Sequence, residues 1–94
     1  MKVIFKFFTR LREITGKKEE EIEVQESVTI KDALKLVSER HSHQFKNYLY
    51  DENERVQSHL LFLVNGRSIT DLHGFKTKLK DGDKVAILPP MSGG

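Results

Sequence analysis

Cysteine is absent from this chain, and that single absence removes thiol nucleophiles, disulfides, cysteine-ligated zinc and iron–sulfur clusters together. Long hydrophobic runs are missing too. The longest is Leu60–Val64, far short of the roughly 20 residues that cross a bilayer. Near the N-terminus Lys6 interrupts the apolar stretch Val3–Phe8, so no secretory h-region forms and a cytoplasmic protein is expected. Strong charge of one sign is lacking as well, the formal net charge being +2. Basic groups do concentrate in residues 1–18 and acids in 19–26. Opposed strands of one hairpin would neutralise both, which argues against a nucleic-acid face.

Catalytic signatures are also missing. The sequence contains no G-x-S-x-G, P-loop, G-x-G-x-x-G or H-E-x-x-H pattern. His41-Ser42-His43 could offer two imidazoles to a metal, but without Cys or a suitably spaced carboxylate these read as surface histidines of a loop. Glu19, Glu20 and Glu21 are consecutive, so they splay over both faces of a strand rather than converge as an acid–base pair.

The 94 residues that remain are 37% hydrophobic, enough for one core. Residues 2–8 read as a strand, with Val3, Phe5 and Phe7 inward and Lys2, Ile4, Lys6 and Phe8 on the other face. Leu11 and Ile14 mark one or two helical turns that Gly16 can stop. Residues 19–25, with Glu21, Ile22, Glu23 and Val24 alternating, read as a second strand with one buried face. Thr29 and Asp32 have capping-box spacing, and Ile30, Ala33, Leu34 and Val37 recur at helical period to about Arg40. Residues 41–59 are poorly patterned, with a short helix around Phe45, Tyr48 and Leu49. Leu60–Val64 is a strand, Asn65-Gly66 a hairpin turn, and Ser68–Thr70 a short return strand. Leu72 and Phe75 tack a loop to the core, and Lys84–Leu88 is the last strand, ended by Pro89-Pro90. One main helix against a mixed sheet of four to five strands makes a two-layer α+β domain over residues 1–88, with the first and last strands adjacent in the middle as in a β-grasp.

Residues 89–94, Pro-Pro-Met-Ser-Gly-Gly, form a separate extended tail. A terminal Gly-Gly arises by chance in roughly 0.5% of chains. Two prolines stiffen its base, and six residues reach about 20 Å. Pro89, Pro90, Met91, Ser92 and Gly93 then serve to present the carboxylate of Gly94. Two residues without Cβ can thread a narrow partner site, where ATP would turn a poor electrophile into an acyl-adenylate.

The segments Phe7–Gly16, Val64-Asn65-Gly66 and Leu79–Gly94 resemble the small subunit of molybdopterin synthase, a family of ubiquitin-like sulfur carriers with a β-grasp fold. The likeness covers the chain outside about residues 41–59. Thiamine sulfur carriers share the Gly-Gly end but usually lack the Phe-Phe and Pro-Pro elements, and are the weaker match. The resemblance implies a carrier that is not itself catalytic and binds no cofactor. An E1-like enzyme would use ATP to adenylate Gly94, sulfur transfer would make a thiocarboxylate, and the tail would enter the large synthase subunit to deliver sulfur to a pterin. Archaeal small modifiers, similar to the same family, join their terminal glycine to lysines of target proteins. Phe8 and Leu88, on the non-core faces of adjacent strands, are the expected docking residues at the base of the tail.

Overall fold

The computed structural model describes residues 1–90. Five strands form one mixed sheet: β1 (Lys2–Phe7), β2 (Glu19–Glu23), β3 (Leu61–Val64), β4 (Arg67–Ser68) and β5 (Lys84–Leu88), in the order β2-β1-β5-β3-β4. The first and last strands lie side by side and parallel, Ile4 opposite Lys84 and Phe7 opposite Ile87. Their neighbours β2 and β3 are both antiparallel to them. The β-grasp arrangement expected from the sequence is the one observed.

Three helices cover one face: α1 (Thr9–Thr15), α2 (Ile30–Glu39) and α3 (His43–Leu49). The Thr29 hydroxyl caps α2 by accepting the Asp32 amide at 3.2 Å, and Gly16 ends α1 in the left-handed region at φ 73. Core composition follows the strand and helix periods. Val3, Phe5, Phe7, Ile22, Val24, Ile30, Leu34, Val37, Val85 and Ile87, the face expected to be buried, are all buried. Leu11, Phe45, Leu49 and Phe62 are buried with them. Among the described residues no buried side-chain N or O lacks a hydrogen-bond partner.

Two expectations change. Ser68–Thr70 does not continue as a strand, because β4 stops at Ser68 and a 3₁₀ turn covers Ile69–Asp71. Ser68 accepts the Thr70 amide in that turn while Ile69 is buried in the core, so leaving the ladder suits both. His41 is not a surface loop histidine. Its Nε2 lies 2.6 Å from Oε1 of Glu20, its ring stacks on Phe45 at 4.9 Å, and its side chain is only 14% exposed. Glu20, on the inward face of β2, is also met by Arg40 at 3.1 Å and Lys17 at 3.8 Å. Three cationic or imidazole partners satisfy a buried carboxylate and tie β2 to the end of α2. The poorly patterned stretch 41–59 is thereby anchored: Phe45 meets Phe7 edge-on, and the backbone of Gln57 bonds to that of Leu49.

Candidate docking face and tail base

Among the described residues the sheet has a helix-covered face and an open one, and β5 ends at Leu88, a position on the open face. Alternation on β1 places Ile4 and Lys6 there, with Phe8 just beyond the strand. On β5 it places Lys84, Ala86 and Leu88, and on β3 Leu61 and Leu63. Register aligns these into rows across the sheet: Lys6, Ala86 and Leu63 in one, Leu88 and Leu61 in the next. The parallel pairing of Phe7 with Ile87 carries Phe8 level with Leu88, as expected if those strands are adjacent and parallel. The face becomes more apolar toward the end of β5, where Pro89 and Pro90 lead away.

Phe8 caps the N-terminus of α1 in an extended conformation, half-buried, with the Arg12 guanidinium 5.7 Å from its ring centroid. Arg12 also donates from Nε to the Phe7 carbonyl at 3.4 Å. Phe8 is therefore held by its local turn rather than left on the strand, and the guanidinium over one face adds a cation–π contact. Leu88 is half-buried beside Leu61, which is 41% exposed. An exposed leucine next to a half-buried one and a half-buried aromatic is a contiguous apolar strip with cationic Lys6 and Lys84 behind it. Such a strip suits a partner's apolar surface at its centre with polar contacts around it.

Leu61 and Leu63 were not among the docking residues expected from the sequence. Five apolar residues in a row hide the alternation of β3; only its antiparallel pairing with β5 reveals which are outward. Met91, Ser92, Gly93 and Gly94 lie outside the described residues. Pro89 is half-buried and Pro90 exposed. Among the described residues there is no group of three His, Cys, Asp or Glu side chains placed to hold a metal, and no helix is long and apolar enough to cross a membrane.

Comparison with known proteins places this geometry among relatives. The ThiS family matches residues 5–94. Small archaeal modifier protein 3 of Haloferax volcanii is 33% identical over 94 residues, spanning the full length of both chains. The molybdopterin synthase sulfur carrier subunit of Chlamydomonas reinhardtii is 29% identical, again over the full length of both. The crystal structure of SAMP1 from Haloferax volcanii superposes with a TM-score of 0.88 over the whole of both chains at 24% identity, a likeness of fold.

Proposed function

The chain belongs to the ThiS family of ubiquitin-like sulfur carriers and modifiers, and from that premise we propose that Gly94 carries sulfur as a terminal thiocarboxylate for molybdopterin synthesis. The observation that supports this reading most is the position of β5. A strand clamped between β1 and β3 ends at Leu88 and releases the tail beside the apolar strip of Phe8, Leu88 and Leu61. The body would fix where the tail starts, and the tail would set how far the reacting carbon travels.

The chemistry needs nothing from the domain beyond a carboxylate. An E1-like enzyme supplies ATP; an oxygen of the Gly94 carboxylate attacks the α-phosphorus and pyrophosphate leaves. Hydrosulfide-level sulfur then attacks the acyl carbon and displaces AMP, leaving a terminal thiocarboxylate on Gly94. In the large subunit of molybdopterin synthase the thiocarboxylate sulfur would bond to a carbon of the pterin precursor and displace the oxygen substituent there. Water would then cleave the acyl–sulfur bond, leaving the thiol on the pterin and restoring the carboxylate. Gly93 contributes by lacking a side chain inside a narrow channel. Phe8 and Leu88 contribute affinity for both partners. All ATP is bound by the activating enzyme.

A second reading shares the acyl-adenylate: a lysine amine of a target protein displaces AMP and forms an isopeptide bond. Full-length identity of 33% to an archaeal modifier favours keeping it. Intact mass of the protein purified from its host separates the two. Exchange of one terminal oxygen for sulfur marks the carrier, and lysine-linked conjugates mark the modifier.

The decisive experiment is ATP–pyrophosphate exchange with the cognate E1-like enzyme. Removing Gly94 shortens the reach by about 3.3 Å, and a misplacement near 1 Å already costs about a hundredfold. Exchange should fall to background. Gly93→Val keeps the reach but adds a β-branched side chain, and should fail as well. Both proteins should melt with wild type. Normal exchange by the shortened chain would make the tail chemically irrelevant and leave a plain interaction module.

A further inference from the structure

We propose that the free edge of β2, together with the groove between it and α2, is a docking site for an extended segment of a partner protein in which Lys or Arg alternates with Val or Ile. β2 lies at one end of the sheet and, among the described residues, pairs only with β1. The Val24 amide donates to the Met1 carbonyl at 2.8 Å and the Phe7 amide to the Lys18 carbonyl at 2.8 Å. Antiparallel alternation therefore turns the backbone groups of residues 18, 20, 22 and 24 toward β1. Those of Glu19, Glu21 and Glu23 point away from the sheet, with no partner among the described residues. These are the groups that a further strand needs.

The two faces of that edge differ in chemistry, and the difference dictates the occupant. On the helix side the groove is lined by Val24, Val28 and Leu36 of α2. Leu36 is 42% exposed, one of two large hydrophobic side chains on the described surface that stand so far out of the core. On the open side stand the exposed carboxylates of Glu19, Glu21 and Glu23. Of these, only Glu21 has an ion-pair partner among the described residues, Lys2 at 3.3 Å, and both of those side chains are more than half exposed. An added strand would turn alternate side chains to the two faces. Those on the groove side meet the exposed Leu36 above the largely buried Val24 and Val28, and those on the open side meet carboxylates. Glu26, Asp32 and Glu39 along the rim extend the negative field; Lys35 is the one cation of the lining, and Arg40 and Lys17 beside β2 are already paired with Glu20.

The same charges choose between occupants. A second copy pairing edge to edge would set one glutamate row against another, and like charges opposite each other destabilise a ladder. Acids on an exposed strand would alone be a guard against aggregation. An exposed leucine beside open backbone groups adds an apolar half to the site, and strand addition uses both halves at once. The site also stands apart from the tail base, because β1 separates β2 from β5. A partner could hold this edge while the tail is engaged elsewhere.

The test is an NMR titration of the isotopically labelled protein with two blocked heptapeptides of equal composition. One alternates, Lys-Val-Arg-Ile-Lys-Val-Arg; the other gathers the same residues into a basic block and an aliphatic block. The alternating peptide should saturate and slow amide exchange at Glu19, Glu21 and Glu23. Leu36→Lys and Glu21→Lys should each weaken it by about tenfold or more, while Phe8→Ala should bind as wild type. Both substitutions lie at exposed positions, and unchanged dispersion of the other resonances checks the fold. Equal binding of the block peptide would reduce the effect to charge attraction and overturn the proposal. So would unprotected amides on β2, or the absence of a saturable response.

Discussion

At the residue scale, lysines reveal the inside of this protein as clearly as phenylalanines do. Lys2 and Lys6 mark one face of β1 as wet, so Val3, Phe5 and Phe7 had to be the other, and all three are fully buried. Phe5→Ala should cost about 3–5 kcal/mol, a large share of the stability of a domain this size, and a urea melt will measure it. Phe8 was legible as an outward aromatic, but not as a helix cap beneath Arg12, because the turn that places it depends on backbone angles. Phe8→Ala should leave the melt nearly unchanged and, under the proposed function, weaken binding to a large synthase subunit in calorimetry. Least legible was the His41–Glu20 pair, whose members lie 21 positions apart. A signal did exist: alternation puts Glu20 on the same face as Ile22, and a carboxylate forced inward requires a partner. His41→Ala removes a hydrogen bond and the stack on Phe45 while leaving Arg40 in place. The expected loss is about 1–3 kcal/mol, read from denaturant midpoints.

Whole elements were read most accurately where one local rule governs them. The Asn65-Gly66 turn has φ 51 and 85, the pair of positive angles that a two-residue hairpin demands. Asn65 does more than turn the chain. Its side chain accepts the Lys84 amide at 3.0 Å and donates to Asp83 at 2.9 Å, fastening the hairpin to the start of β5. Gly66→Ala should cost about 1 kcal/mol through backbone strain alone, since open space surrounds the added carbon; thermal melts will show it. Residues 41–59 lack a clean period, yet the short helix expected around Phe45, Tyr48 and Leu49 is present as α3, and the Gln57 amide fastens its end by donating to the Leu49 carbonyl. Tyr48 and Tyr50 belong to this region, and burial raises both phenol pKa values above the ordinary 10.0, with the nearby hydroxyls of Thr9 and Ser38 pulling down. The unfolded chain then releases these protons first. Their contribution is fully present below about pH 10 and is lost as the pH rises through the folded values. Tyr50→Phe should flatten the alkaline decline in urea midpoints above pH 10 and change little at pH 7.

For the whole molecule, the sheet order was legible because the two most apolar strands are the first and the last, and a central place suits them. The open face was only half legible: β5 and β1 could be read, but β3 required its register. Truncation after Pro90 should not shift the thermal midpoint, since the last buried residue among those described is Ile87; a fall of several degrees would place the tail within the fold. The parallel contact of β1 with β5 also has a mechanical meaning. The chain enters the sheet at Lys2 and leaves it at Leu88, at opposite ends of two neighbouring strands that run the same way. A load applied between the N-terminus and an anchored tail would pull these strands past each other, stressing the whole row of hydrogen bonds in shear instead of peeling them one at a time. If the tail is ever held by an unfoldase or a covalent target, the strand that presents it is also the grip that keeps the domain folded under tension.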